Sequence, residues 1–349
     1  YYLSVLTISV AVASVYVNLP KFMMLGRHKH ISPNPKKNLI NKTDRAWIQI
    51  DLAALEHNVK VLQNALPKKC AIMAIVKANA YGHGDYIIAS HLNKLGIDAF
   101  GVATIDEGIN LRKHGIKGDI LILGYTNPER INELHRYRLM QTVIDYDYAK
   151  TLNKSKKPVQ VHLKIDTGMH RIGLHANETD EIEKLFSFSK LDIRGIFTHL
   201  CVADSLTTDD VEYTKKQINT FYNMIERLKN KGIAIPKIHF QSSYGMLNYP
   251  DLYGDYVRIG IALYGTLSSP QDRTNIEIDL HPVLSLKARI AMLQRIARGE
   301  SVGYGRDFTA ERDSILAVIP IGYADGMPRN LSCENGGALI HGHYAPIVG

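Results

Sequence analysis

Cysteine is scarce in this 349-residue chain. The three cysteines, Cys70, Cys201 and Cys333, lie far apart without C-x-x-C spacing, which excludes a disulfide framework and a cysteine zinc cluster and favours a reducing compartment. No G-x-G-x-x-G follows the first apolar run of the body, so a dinucleotide-binding sheet loses its main support. Acid is absent from Lys21 to Lys42, a stretch holding six lysines and arginines, while the rest of the chain is nearly balanced. The formal net charge of +8 is therefore local and does not indicate a nucleic-acid partner. Charge of either sign is missing from Tyr1 to Pro20.

About twenty apolar residues suffice to cross a bilayer as a helix, and a basic flank marks the cytoplasmic side. Residues 1–25 are thus expected to form the end of a transmembrane region, with the body held at the cell membrane on its cytoplasmic face. A secretory signal ending near Ala11-Val12-Ala13 and a buried helix remain as alternatives, although a signal normally carries its basic residues before the apolar core. Residues 26–45, which include HISPNPKKNLINKTD, have the proline, asparagine and lysine content of a linker.

Beyond the linker, short apolar runs recur at 71–76, 99–104, 120–123, 140–144, 159–165, 193–198, 238–240 and 256–259. Helical periodicity falls between most of them, at 52–66, 86–95, 106–114, 129–137, 179–188 and 208–231. Eight strands alternating with helices predict a (β/α)8 TIM barrel over 46–280, with an open doubly wound sheet as the alternative. Residues 281–349 are expected to be part of a second, mainly β domain.

In such a barrel the C-terminal strand ends share one face and carry the chemistry. Those ends hold Lys77, Thr104 to Glu107, Lys164 to Asp166, Thr198-His199, Gln241 to Ser243 and Arg258. Any one of them alone is most simply a solvated strand end; together they place an amine, carboxylates, an imidazole, hydroxyls and a guanidinium in one bowl. An amine at an apolar mouth loses its proton easily and then forms Schiff bases. Ser242 and Ser243, with the Arg258-Ile259-Gly260-Ile261 turn, offer hydroxyl and backbone donors to a phosphate. This set fits pyridoxal 5′-phosphate, and it equally fits a lysine aldolase acting on a phosphorylated sugar.

Several segments resemble the alanine racemase family, which uses pyridoxal 5′-phosphate on a barrel. They are WIQIDLAALEHNV (47–59), AIVKANAYGHG (74–84), KIDTGMHRIG (164–173), GIFTHL (195–200), VRIGIALYG (257–265) and SVGYGRDF (301–308). The resemblance runs from Arg45 to the end of the chain, in order and with consistent spacing. It implies that Lys77 carries the cofactor in Schiff-base linkage and acts as a base on one face of the substrate α-carbon. Tyr304 matches the base on the other face, supplied by the partner subunit of a homodimer. Arg171 and His199 match residues near that tyrosine, Arg171 also facing the substrate, and Arg258 matches the arginine opposite the pyridine nitrogen. An arginine only donates there and so makes the ring a weaker electron sink than a carboxylate partner would. Tyr81, Ser243, Gly260 and Ile261 match phosphate contacts. Lys164 matches a lysine that is carbamylated in some members, the plain alternative being a strand lysine paired with Asp166.

Two departures stand out. Ser242 replaces a frequent asparagine, and the final HYAPIVG stops before the family's Met-Asp entrance segment and a further phosphate-binding tyrosine. The apolar start and basic linker resemble the membrane-bound serine/alanine racemases associated with vancomycin resistance, which implies D-alanine or D-serine for peptidoglycan precursors. A barrel decarboxylase using the same cofactor and a non-enzymatic membrane-tethered binding module are the competing functions. His28-Lys29-His30 and His341-Gly342-His343 lack a third ligand, Met23-Met24 fits interfacial packing better than a ligand pair, and no metal is expected.

Overall fold

The computed structural model describes residues 5–8, 43–269, 271–332 and 335–349. Two compact units emerge, one from Leu52–Leu267 and Gln271–His281, the other from the N-terminal residues to Asp51 together with Ser268–Pro270 and Pro282–Gly349.

The first unit is built on eight parallel strands: β1 (Ala71–Ile75), β2 (Ala99–Val102), β3 (Asp119–Ile122), β4 (Met140–Val143), β5 (Val159–Asp166), β6 (Leu191–Phe197), β7 (Lys237–His239) and β8 (Tyr256–Ile259). Each pairs with the next from β1 to β7, and β8 returns beside β1. The gap between β7 and β8 is bridged by Asp255 N–H to Ile238 O at 2.8 Å and Arg258 N–H to Gln241 O at 3.1 Å. The ring is nearly closed, as the eight apolar runs predict.

Sequence explains the helices around it. In α1 (Leu52–Asn64) the buried residues are Ala54, Leu55, Asn58, Val59 and Leu62, an i, i+3, i+4 stripe. After α2 (Asp85–Lys94) come α3 (Ile105–Lys113), capped by Thr104, and α4 (Ile131–Tyr137). Then follow α5 (Tyr146–Leu152), capped by Asp145, and α6 (Thr179–Leu185). The long α7 (Thr208–Asn230) buries Gln217, Ile218, Phe221, Met224, Ile225 and Leu228 along one face, and Thr207 accepts the Asp210 N–H at its start. The short α8 (Ser243–Asn248) follows β7. Helices α5 and α8 are too short for their periodicity to stand out in the sequence.

Inside the barrel Met73, Ile75, Ala99, Leu121, Met140, Phe197 and Tyr256 form one apolar cluster. Layers of this kind make a barrel interior a packed core rather than a pore. Polar groups are confined to particular registers: His162, Lys164 and Asp166 alternate along β5 and are all buried. Their spacing of two puts them on one strand face.

The second unit is mainly β. One antiparallel sheet runs in the order His343–Pro346, Gly337–Ile340, Val5–Ile8, Leu284–Arg289, Ala46–Ile50. Leu286 and Ala338 form its small core, with Ile48, Ile319, Ile321, Met327 and Ile340 packed against them. Two ribbons, Met292–Ile296 with Ser314–Val318 and Ser301–Val302 with Phe308–Thr309, complete it.

Two expectations are corrected. Ala46–Ile50 was expected to open the barrel; it pairs with Leu284–Arg289 instead and belongs to the second unit. Arg45 was expected in the linker. Its guanidinium donates to both oxygens of Asp325 at 2.6 and 3.0 Å and to the Pro320 carbonyl, so the ordered body begins before residue 46. Of the expected membrane segment only Val5–Ile8 lies among the described residues, and there it is a strand, in keeping with its β-branched content. The remainder of that segment and most of the linker lie outside the described residues, as does Cys333; Cys70 and Cys201 are free thiols. Among the described residues no helix is long and apolar enough to cross a membrane.

The Arg45 bridge holds the Asp325 carboxyl below the usual aspartate range. A lowered folded value gives stability that is complete above the unfolded value near 4 and is lost as pH falls through the folded value. Wild type should therefore exceed Asp325→Asn in stability at neutral pH. Urea unfolding should show that difference starting to close below about pH 4 and vanishing only once pH has fallen below the folded value, where the carboxylate is protonated in both states.

Candidate active site

The C-terminal strand ends of the barrel converge as expected on one mouth, and Lys77 opens it. The residues after it do not continue as a right-handed helix. Ala78, Asn79, Ala80 and Tyr81 have φ of 52°, 55°, 52° and 53°, four left-handed residues in succession. Each such residue with a Cβ costs roughly 1–2 kcal/mol, so the turn persists only because its surroundings hold it. The holding groups are specific. Glu107 accepts the Ala78 N–H at 2.8 Å with one oxygen and the Ala103 N–H at 2.7 Å with the other, tying the turn to the end of β2. Asn79 Oδ1 accepts the Asp85 N–H at 2.9 Å. His83 donates from Nδ1 to the Ala80 carbonyl at 2.9 Å, and burial lowers its pKa to about 4, so it is neutral.

Lys77 is half-buried, and its amine titrates below the ordinary lysine value. Burial is the larger cause and the positive charge of Arg171 the next, with Glu107 opposing both. At β5, Lys164 is buried and lowered to about 7 by desolvation, then by Arg258 and Arg171, against the pull of Asp166. Its amine donates to the Ile165 carbonyl at 2.9 Å. The Asp166 carboxylate is raised by burial but lowered more by N–H donors, the Gly168, Met169 and His170 amides at 3.0, 3.0 and 3.1 Å. This fixes the loop that carries the exposed Arg171.

Arg258 is the buried centre of the mouth. Its guanidinium donates to the carbonyls of Thr198 at 2.8 Å and Phe240 at 3.1 Å, to His239 Nδ1 at 2.9 Å and to His199 Nδ1 at 3.1 Å. Because an arginine only donates, both imidazoles accept through Nδ1 and carry their proton on Nε2. His239 then passes its Nε2 proton toward His162 Nδ1 at 2.8 Å. Desolvation and the Arg258 charge hold His199 and His239 far below the ordinary histidine value. For His162, burial leads, followed by the Lys237 and Arg258 charges, and its value falls to about 3. The Phe197 ring lies under the Arg258 guanidinium at 5.2 Å and under the Lys164 amine at 5.6 Å. Gln217 of α7 donates to the His199 carbonyl at 3.3 Å and steadies that loop.

After β7, Ser243 opens α8. Its Oγ accepts the N–H groups of Gly260 at 3.2 Å and Ala262 at 3.3 Å, which leaves the hydroxyl proton to be donated elsewhere. Gly260 matters here through what it lacks: a Cβ would sit 2.6 Å from the Tyr81 hydroxyl. Tyr81 packs against Tyr264 with ring centroids 5.2 Å apart, and burial pushes its phenol up to about 12, so it donates as a neutral hydroxyl. Ile261 begins the short turn Ile261–Tyr264 after Gly260.

Lys77, Tyr81, Lys164, Arg171, His199, Ser243, Arg258, Gly260 and Ile261 thus all belong to the barrel unit. Tyr304 belongs to the other, where it is 80 % exposed in the turn Tyr304–Arg306. The sequence reading placed Glu107 at the mouth only within the Thr104 to Glu107 strand end, with no role of its own, and did not single out His83, Gln217, His162 or His239 as site residues. The spacing His162-x-Lys164-x-Asp166 was the available sign for the first histidine, since it marks three polar groups on one face of an otherwise apolar strand.

The donor set fits pyridoxal 5′-phosphate: a desolvated amine, a buried guanidinium at the inner wall, and a serine–tyrosine rim cleared by a glycine. These features define a lysine-centred site at the mouth of a parallel barrel. A family model for the alanine racemase N-terminal domain matches residues 50–268, and one for the C-terminal domain matches residues 283–349. The chain belongs to the alanine racemase family. It is 47 % identical over its whole length to an amino-acid racemase of Enterococcus faecalis, covering 48 % of that protein. It is 42 % identical over 93 % of its length to a serine/alanine racemase of Enterococcus gallinarum, covering 45 % of it. The chain therefore spans about half the length of these curated relatives. Among solved structures, an alanine racemase of Clostridium difficile 630 superposes with a TM-score of 0.80 at 34 % identity, over 88 % of this chain and 81 % of that one.

The left-handed turn yields a substitution order that ordinary propensity does not. Ala78→Gly should stabilise the protein by up to about 1 kcal/mol, because glycine adopts positive φ without steric cost. Ala78→Val should destabilise it by about 1–3 kcal/mol, because a β-branched residue fits that region worst. Thermal unfolding of the three proteins measures the order, and a valine variant as stable as wild type would contradict it.

Proposed function

We propose that the chain carries the catalytic body of a pyridoxal 5′-phosphate-dependent amino-acid racemase that interconverts the L- and D-forms of alanine or serine. The observation that carries this reading is the half-buried Lys77 amine, kept easy to deprotonate in a mouth lined by Arg171, Lys164, His199 and Arg258. When bound, the cofactor supplies an electron sink that acidifies the α-proton of an attached amino acid.

The chain's own residues do the rest. Ser243 and Tyr81 would donate hydroxyl hydrogens to the phosphate, the backbone at Gly260 and Ile261 would line the same rim, and Lys77 would be the covalent anchor. Arg258, which can only donate, would face the ring nitrogen and favour its unprotonated form, limiting side reactions. Arg171 pairs with the substrate carboxylate. Racemisation needs one group to take the α-proton and another to return a proton from the opposite face, and Lys77 and Tyr304 are assigned those two roles. A tyrosine is a weak base at neutral pH, so the Arg171 charge and the neutral His199 are assigned to help it lose and regain its proton. In this reading Tyr304 comes from the second subunit of a homodimer. A neutral Lys164 amine is the form that takes up carbon dioxide, releasing a proton, and the resulting carbamate would hold Arg171 in place.

The apolar, uncharged Tyr1–Pro20 and its basic flank support attachment to the cell membrane with the racemase body on the cytoplasmic side. The alignment with the Enterococcus faecalis racemase extends through that segment. D-alanine or D-serine for peptidoglycan precursors is the product role consistent with the family.

The test is to assay membrane and soluble fractions of cells producing the protein, with each L-amino acid, resolving enantiomers and measuring released carbon dioxide. The racemase reading requires D-product, lost by at least about 10³-fold in Lys77→Ala and Tyr304→Phe, since each removes one of two indispensable bases, and the membrane assignment requires that activity in the membrane fraction. Carbon dioxide release without D-product indicates a decarboxylase, and neither product indicates a binding module. Activity confined to the soluble fraction would contradict the membrane assignment alone.

A further inference from the structure

Outside the mouth, the described residues hold one convergent group of metal-ligating side chains. His57 lies on α1, while Asp279 and His281 lie where the chain leaves the barrel unit. Asp279 Oδ2 is 3.2 Å from His57 Nε2 and 3.3 Å from His281 Nε2. Metal–ligand bonds of about 2.0–2.1 Å in a tetrahedron place neighbouring ligand atoms about 3.3–3.4 Å apart, so both separations already match the edges of such a site. The backbone beneath is fixed. Buried Asn58 donates to the His281 carbonyl and accepts its N–H, both at 2.8 Å, and also donates to the Leu263 carbonyl at 3.2 Å.

We propose that His57, Asp279 and His281 bind a first-row transition cation of the zinc, nickel or copper class, with water completing the coordination. Two imidazoles and one carboxylate select against magnesium and calcium, which prefer all-oxygen ligands. Binding requires two local rearrangements. The two imidazole rings are stacked, with centroids 3.9 Å apart and planes within 7°, and a shared ion must lie in the plane of each ring. His281 therefore turns out of the stack, and His57 gives up the contact of its Nε2 with the Asp279 carbonyl at 3.0 Å. His281 and Asp279 are exposed, so neither side chain has to leave a packed core to do so. The ion then staples the chain leaving the barrel to a helix 222 residues earlier. A binder of the native state raises its stability by mass action, and closing so long a loop adds constraint to the unfolded chain.

The experiment uses cofactor-loaded protein freed of excess cofactor, dialysed against zinc and separately against magnesium, with bound metal measured by mass spectrometry. One zinc per chain with micromolar affinity and no magnesium uptake is expected, together with a zinc-dependent rise in melting temperature. His57→Ala and His281→Ala should each weaken binding at least about 10- to 100-fold and abolish the rise, as losing even an outer partner costs a metal site that much. His343→Ala, from the H-x-H near the chain end, should leave both readouts unchanged. Absence of stoichiometric zinc, equal uptake of magnesium, or binding that survives in the double variant His57→Ala/His281→Ala would each overturn the proposal. None of these readouts depends on catalysis.

Discussion

A permanent positive charge buried among groups that are not carboxylates is the constraint on which the mouth depends. Arg258 is satisfied by two carbonyls and two imidazoles. Burial pushes the basic groups around it toward their neutral forms, and because a guanidinium stays protonated its charge pushes them further the same way. Lys164, His199, His239 and His162 all shift in that direction. The barrel end thereby becomes a place where amines and imidazoles are held neutral and where the remaining positive charge favours an anion. A phosphate and an amino-acid carboxylate are the kinds of charge this field attracts.

The same end of the barrel contains the strained segment. Four left-handed residues follow Lys77, and their cost is offset by Glu107 and His83, which bond to the turn's backbone, and by Asn79, whose side chain accepts the Asp85 N–H. Glu107 has two effects at once: it joins the ends of β1 and β2, and its charge moderates the loss of basicity of Lys77. Strain of this kind, concentrated beside a reactive amine, places that amine in one direction instead of leaving it on a frayed strand end.

Much of this was legible in the sequence because it rests on periodicity. All eight barrel strands follow from short apolar runs, and the long α7 stripe from Gln217 to Leu228 follows from helical spacing. The converging strand ends then identify Lys77, Lys164, His199 and Arg258 as neighbours from sequence alone. What stayed hidden depends on long-range pairing or on local backbone geometry. Ala46–Ile50 alternates like any half-buried strand, and nothing local says that its partner is Leu284–Arg289 rather than a barrel strand. Ala78-Asn79-Ala80 has the composition of an ordinary helix, and its left-handed form is imposed by residues such as Glu107. His57 and His281 are separated by most of the chain, so no spacing rule connects them. Tyr304, exposed on the second unit, acquires its assigned meaning only from the family resemblance.

The central claim is that the barrel mouth keeps the Lys77 amine easy to deprotonate through burial and surrounding positive charge. The most direct measurement is an NMR titration of that one amine in cofactor-free protein, with lysines ¹³C-methylated and the resonance assigned by its loss in Lys77→Arg. The account predicts a midpoint clearly below the value of about 10.4 for a free lysine, moving back toward it in Arg171→Ala. A midpoint at or above the free value, indifferent to Arg171, would contradict it.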